Sequence, residues 1–359
     1  MKIAILGFGS VGQALARLLL ERQGELYLRY GFAPRVVAIA DSKSLALNPE
    51  GLDLRLALQC KRSTGRVGHP CQGISIGEIA DKTGFDALVE LTPTNPLDGE
   101  PARTHILEAL GRGKHVVTAN KGPLALAFSE LKMRAEQSGS MLRYSAAVGG
   151  GTPILDFGEA CARAEPITEI RGVLNSTSTF ILSQMEERGV SLDAALAEAR
   201  RLGLAEADPS LDLDGIDTAC KAVILANHLM GMNASLRDVG RIDGIRDVSP
   251  ERIREAAARN MGLRIVGIVR RRIEVRLVEL GRDDPLFAPA MANVVAFRCK
   301  YSGEKVIRGR GAGGIPTACG VLRDLIHVHW AVRGRWGHVD RDEVRRQLPG
   351  RSIRDEAGR

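Results

Sequence analysis

Residues 2–41 leave few folds open to this chain. KIAILG at 2–7 is a short apolar run with one charge at its start, as in a strand buried on both faces of a parallel sheet. GFGSVG follows, with Gly7, Gly9 and Gly12 in G-x-G-x-x-G spacing, and residues 13–21 then read as a helix. Gly7 permits a tight turn, Gly9 lets bare backbone approach a pyrophosphate, and Gly12 allows close helix–strand packing. The helix N-terminus adds the positive end of a dipole. Glycine spacing alone is weak. Here it lies between a strand and a helix and precedes a second strand, 35–40, which ends in Asp41, the position of a ribose-binding acid. Asp41 comes about 29 residues after Gly12, later than the usual ~20, and 24–34 reads as a loop insertion. The acid favours NAD, whereas Lys43, Lys61 and Arg62 could neutralise a 2′-phosphate, so NAD and NADP both stay open.

More βα units follow. Residues 86–91 read as a strand entering Thr92-Pro93-Thr94-Asn95, 102–112 as a helix, 115–118 as a strand leading to Ala119-Asn120-Lys121, and 142–147 as one more strand. Ligands of an open α/β sheet bind beyond the carboxyl ends of its strands, so Thr92, Asn95, Asn120 and Lys121 are expected to border a nicotinamide.

A second constellation is GLAEADPSLDLDGIDTACK at 203–221, which gathers Glu206, Asp208, Asp212, Asp214 and Asp217 ahead of Lys221. Asp212, Asp214 and Gly215 fit the third, fifth and sixth positions of a calcium loop, but its first ligand would be Ser210 and its bidentate twelfth would be Lys221, so that reading fails. Asp217 and Lys221 share a helix face. The pair is either a surface ion pair worth about 0.3–0.5 kcal/mol or part of a polar site in which the carboxylate aims the lysine.

A chain of 359 residues has room for two domains, and 44% hydrophobic with 26% charged residues is the balance of a globular protein. No apolar run reaches the ~18 residues of a membrane span, and the start reads as a strand and turn, not a signal peptide, so a cytoplasmic protein without a membrane partner is expected. The six cysteines have neither CxxC pairing nor metal-ligand spacing. The net charge of +7 is spread out except in the arginine-rich tail after Trp330, which gives little reason to expect a nucleic-acid partner. His327 and His329 alternate as on a strand or loop and read as structural. Helices over 179–188, 192–202 and 216–230 with strands over 263–269 and 273–280 fit an α+β unit.

With these pieces in view the chain resembles homoserine dehydrogenase in its short monofunctional form. The matching segments are GFGSVG, TPTN with DGEP, VTANKGPLAL at 117–126, VGGGTP at 148–153, ILSQM after the NSTST turn, GLAEADPSLDLDGID with Lys221, and GAGGIPTA at 311–318. They run in family order over about residues 1–330. There is room neither for an aspartokinase domain nor for a complete ACT domain.

The resemblance implies an α/β protein with a Rossmann-type parallel-sheet dinucleotide-binding domain (1–147, completed by 311–330) and an α+β substrate-binding and dimerisation domain (148–310). Residues 331–359 would be a mobile basic extension. It implies a homodimer that interconverts L-homoserine and L-aspartate 4-semialdehyde. Lys121 and Lys221 would border the reacting carbon, Asp217 would orient Lys221, and Glu206 and Asp212 would hold the substrate ammonium. Ser176 and Thr177, in the 175–179 turn, would face its carboxylate. The cofactor, NADP or NAD, would meet Gly7, Gly9, Ser10, Val11, Gly12, Asp41, Lys61, Thr92, Pro93, Asn120 and Gly313. The carbonyls of Val148 and Gly150 could hold a monovalent cation. The chain departs from the family at Ser176, where a glycine is familiar, at Leu204 for an aromatic residue, at Ser145 for a cation-binding glutamate, and in part after the second strand. Alternatives are a dehydrogenase of the same architecture for another amino-acid semialdehyde or hydroxy acid, and an inactive nucleotide-binding homologue. A sensor has no need of the two lysines.

Overall fold

The structure, a computed structural model, describes residues 1–71, 73, 75–206, 208–287 and 291–334. In the first half the elements run β1 (Lys2–Leu6), α1 (Ser10–Glu21), α2 (Gln23–Tyr30), β2 (Arg35–Ala40), β3 (Ser44–Leu47), α3 (Leu54–Thr64), β4 (His69–Pro70), α4 (Ile76–Thr83), β5 (Ala87–Glu90), α5 (Ala102–Gly111), β6 (His115–Thr118), α6 (Lys121–Gln137), β7 (Leu142–Arg143), α7 (Ser145–Gly149) and α8 (Ile154–Ala164). Their strands make a sheet in the order β4-β3-β2-β1-β5-β6-β7. It is parallel from β2 to β7, with β3 and β4 antiparallel at one edge. β1 is flanked by β2 and β5, so the order reverses there and opens a crevice at the carboxyl ends, where an α/β sheet takes its ligand.

The second half continues with β8 (Ile167–Val173), α9 (Ser176–Arg188), α10 (Leu192–Arg201), α11 (Ser210–Leu213), α12 (Ile216–Met230), β9 (Val239–Ile242), α13 (Pro250–Ala258), β10 (Met261–Val269), β11 (Ile273–Gly281), β12 (Ala292–Cys299), β13 (Gly303–Arg310) and α14 (Gly314–Val332). The sheet order is β13-β12-β8-β10-β11-β9, antiparallel apart from the parallel β11–β9 pair. α12 is buried along most of its length because its sequence is apolar around the whole circumference after Lys221. Ala222 to Ala226 join one core with Leu88 and Val116 of the first sheet and Val269 and Phe297 of the second. α14 returns to the first sheet, where Ala318, Val321, Leu322 and Leu325 pack with Ile3, Ile5 and Leu15.

Four expectations need correction. Residues 24–34 are not a loop insertion, since 23–30 form α2, stopped by Gly31 at φ +60°. Its partner comes from the far end of the chain: Trp330 Nε1 donates to Tyr30 O (3.3 Å), and a His329 ring nitrogen lies 2.9 Å from Gly31 O. His327 and His329 therefore sit in α14, not on a strand or loop. The strand expected over 142–147 stops at Arg143, because the backbone N–H and hydroxyl of Ser145 turn to Asp324 Oδ2 and Oδ1 (both 2.8 Å) and start α7. The 175–179 turn is the cap and first turn of α9, so that helix begins at Ser176 and not at Thr179. The tail expected to be mobile lies, from residue 335 onward, outside the described residues.

Candidate active site

A cleft of about 460 Å³ opens beyond β1 and β5, between the glycine-loop end of the first sheet and the α9–α12 side of the second. Gly7 and Gly12 shape its floor. Gly7 sits at φ +94° with β5 so close that a Cβ would lie 2.4 Å from the Leu91 carbonyl, and a Cβ at Gly12 would lie 2.3 Å from Gly7 O. Both positions exclude side chains, for turn and helix packing respectively. Gly9 faces open space, with nothing within 4 Å of its missing Cβ. Ser10, Val11, Thr92, Pro93 and Gly313 line the cleft. Thr92 is held by the buried Glu90, which accepts from its backbone N–H (3.1 Å) and its hydroxyl.

On the opposite wall Asp217 is 9% exposed and Lys221 8%. Lys221 Nζ donates to Asp217 Oδ2 (2.7 Å) and to the Leu174 carbonyl (2.6 Å), while Lys121 Nζ lies 3.3 Å from Asp217 Oδ1. One carboxylate is thus shared by two ammonium groups. Burial pushes Asp217 up, but Lys221 and Lys121 outweigh it and hold the carboxyl well below its usual range. Burial likewise lowers Lys121, and Asp217 overcomes this to raise it. Asp212 moves upward, through burial and then the neighbouring Asp217 charge. Burial, with Asp217 adding to it, pushes the Cys220 thiol up to about 12, so that thiol is no nucleophile at neutral pH.

Asp212, Glu206, Ser176 and Thr177 line the same cleft. Glu206 is exposed at its mouth, and Thr177 donates its hydroxyl to Leu204 O (2.9 Å). Two further acids that the sequence left without a role are occupied: Asp208 accepts from Ser210 N (3.0 Å) and its hydroxyl (2.6 Å), and Asp214 from Arg246 Nη2 (3.0 Å). Three groups had no role of their own assigned from the sequence. Asn175 and Glu90 carried a local signal, as a cap residue before a Ser/Thr run and as an acid in an apolar strand, whereas the Leu174 carbonyl has none.

Some expected residues lie elsewhere. Asn120 is 1% exposed and does not line the cleft; its amide donates to Thr92 O (3.0 Å) and Pro93 O (3.1 Å), and so shapes the loop from behind. Asn95 is likewise tied to its own turn, donating to Asp98 Oδ1 at 2.7 Å. Asp41 lies at the end of β2, where Oδ1 accepts from Lys43 N (2.8 Å) and Ser44 Oγ (3.0 Å), and Oδ2 from Lys61 Nζ (2.7 Å). Burial raises Asp41, but Lys61 and the Lys43 N–H prevail and leave it below the usual carboxylate range.

The open Gly9, the glycine-bounded helix start and a polar pair at the end of β2 fit a dinucleotide. A monovalent cation is not matched in the same way. Ser145 is committed to Asp324, whose charge already faces Arg143 at 3.4 Å, and the Gly150 carbonyl is backed against α14, 2.2 Å from a Cβ placed at Gly320. Val148 is fully buried in α7. Ser145 therefore offers the cation no free side-chain oxygen, while Val148 still lines the cleft.

Known proteins are similar to this chain over nearly its whole length. Residues 7–145 match the family model described as homoserine dehydrogenase, NAD binding domain, and residues 153–326 that described as homoserine dehydrogenase. The homoserine dehydrogenase of Methanocaldococcus jannaschii is 41% identical over 336 residues, covering 92% of this chain and 98% of the relative. An NAD(+)-dependent homoserine dehydrogenase of Pseudomonas canavaninivorans is 36% identical, covering 94% and 99%. Among solved structures, a putative homoserine dehydrogenase of Archaeoglobus fulgidus superposes with a TM-score of 0.84 at 38% identity, covering 91% of this chain and 99% of that one. A hyperthermophilic archaeal homoserine dehydrogenase in complex with NADPH does so at 0.79 and 32%, covering 92% and 98%.

Proposed function

The chain belongs to the homoserine dehydrogenase family, and from that membership we propose that it interconverts L-homoserine and L-aspartate 4-semialdehyde with NAD or NADP. The setting is the cytoplasmic route from aspartate to threonine and methionine. The observation that carries the reading is the single carboxylate of Asp217 between Lys221 (2.7 Å) and Lys121 (3.3 Å), in one cleft with Ser10 and Asp212.

When bound, the nicotinamide would supply hydride transfer from the carbinol carbon of homoserine or to the aldehyde carbon of the semialdehyde. Lys221 gives a proton to the oxygen on that carbon in the reducing direction and takes it back in the oxidising one. Asp217 and the Leu174 carbonyl fix the ammonium in place, which limits it to one line of approach. Lys121 faces the same oxygen as a second cation and offsets the charge that develops there. Asp212 and Glu206 pair with the substrate ammonium, and this supports an amino-acid substrate over a plain hydroxy acid. The first-turn N–H groups of α9, at Ser176 and Thr177, receive the substrate carboxylate. At the far end of the cofactor the Asp41–Lys61 pair presents a neutralised carboxylate, which supports use of both nucleotides.

We assign the nucleotide to residues 1–147 with 311–330, and substrate and dimerisation to 148–310. A homodimer is supported by the sheet face turned away from α12. Gly267 faces Ala222 and Thr218 of that helix, so the half-buried Ile268 and Val278 lie on the opposite face, where Val266 is itself buried. They are flanked by ion-paired arginines such as Arg270 with Glu169 (2.5 Å) and Arg276 with Glu274 (3.2 Å), a surface that can meet its own copy.

The test is oxidation of L-homoserine with NAD and with NADP, beside a panel of other hydroxy amino acids and hydroxy acids. Homoserine is expected to give the highest kcat/KM. Lys221→Ala should bind cofactor normally and lose about 10²–10⁴-fold in kcat. Near-wild-type turnover in that variant ends the proton-transfer role, and a better substrate in the panel replaces homoserine.

A further inference from the structure

Two successive residues at the corner between β8 and α9 reach Lys221, Asp217 and Asp212. Leu174 does so with its carbonyl on Lys221, and Asn175 with its side chain. The Asn175 amide is 4% exposed, and its orientation is fixed by its partners. Oδ1 accepts the Ser178 backbone N–H (2.7 Å), so Nδ2 carries the hydrogens that meet Asp217 Oδ2 (2.9 Å) and Asp212 Oδ1 (2.6 Å). Both hydrogens are used, each on a different carboxylate. Ordinary helix capping requires only the oxygen, and Ser or Asp would supply it equally well. The NH2 group is what an asparagine adds.

We propose that Asn175 is a positioning residue that joins substrate recognition to proton transfer: its amide holds Asp212 with one oxygen free for an ammonium, and turns Asp217 so that each of its oxygens meets a different lysine. The proposal rests on the reading of this cleft as the homoserine site. Without the two donors, Asp212 and Asp217 would be neighbouring carboxylates with nothing between them. Asp217 could then rotate and release Lys221 from its line. Removal of a donor from a buried carboxylate is costly, so the loss should appear in both substrate affinity and turnover.

Asn175→Ser separates the two jobs, because it keeps a capping oxygen and lacks the amide hydrogens. The expected result is a folded protein whose thermal midpoint is lowered by several degrees through the unpaired carboxylates, with an unchanged Kd for NADH and NADPH. KM for homoserine should rise about tenfold and kcat fall about tenfold, the equivalent of one hydrogen bond to a charged group in each. A pH readout separates positioning from packing. Asp212 is faced by Asp217 and Lys221 from α12, by Lys121 from α6, by Thr177 from α9 and by Glu206 from the loop before α11. Loss of the Asn175 donor should move the acid limb of kcat/KM to higher pH. Wild-type KM and kcat with an unmoved acid limb would overturn the proposal. Should Asn175→Ser fail to fold, Asn175→Thr, which also keeps a capping oxygen without the amide hydrogens, is read in the same way. If wild type itself does not oxidise homoserine, the substrate reading fails and this proposal falls with it, whereas an active wild type with an indifferent Asn175→Ser removes the proposal alone.

Discussion

Burial and the Asp217 charge raise the Asp212 carboxyl above its ordinary range, so the folded protein binds that proton more tightly than the unfolded chain does. Between the ordinary carboxylate pKa and the raised one, stability falls as pH rises, and at neutral pH an ionised Asp212 opposes folding. Asp212→Asn removes that charge and keeps an oxygen for Asn175. We expect its thermal midpoint at neutral pH to rise by roughly 1–2 °C, the effect of about 1 kcal/mol in a chain of 359 residues, while KM for homoserine increases at least about tenfold. A lowered midpoint, or unchanged KM, would show that Asp212 is not held against its preference for the substrate. The sequence brought Asp217 and Lys221 onto one helix face because a helical repeat is periodic. Lys121 and Asn175 reach the same carboxylate from other elements, and no spacing rule connects positions so far apart. The carbonyl of Leu174 shows why part of any such site stays illegible: every residue has one, and only the chain path aims it.

Elements whose burial is decided locally were legible from their own residues. β2, β6 and α12 have the bounds that their apolar patterns set. Elements held by distant partners were not. α2 has only one fully buried side chain, Leu26, and its place depends on α14, nearly the whole chain away. β7 is cut short by Asp324, again from α14. Asp324 is fully buried, its carboxyl raised by burial but opposed by Arg143 and by the two bonds from Ser145. Asp324→Ala would leave Arg143 without one partner and Ser145 N–H and Oγ without theirs. The expected loss is about 3–5 kcal/mol in urea unfolding, the cost of breaking a buried pair. A loss below about 1 kcal/mol would mean that water satisfies these groups and that α14 is held by its apolar face alone.

At the scale of the molecule, two sheets share one core through α12, and the second sheet leaves Ile268 and Val278 half-buried among paired charges on its other face. If that face joins two copies, light scattering should give a mass near twice 38.7 kDa, and Ile268→Glu should return it to a single chain. A single-chain mass for wild type would refute the dimer. Fold class was legible early because βα alternation and the helices and strands that follow it separate along the chain. The closure of the first sheet by 311–330 was expected only through the family resemblance, since α14 belongs to it in space and to the second half in sequence. That separation imposes a timetable on synthesis. Ile3, Ile5 and Leu15 leave the ribosome first, yet Val321 and Leu325, which cover them, are made about 300 residues later. At ~5–20 residues per second the delay is roughly 15–60 s. For that time the nascent nucleotide lobe carries an open apolar groove on its surface, and α14, the last helix among the described residues, is the one that closes it.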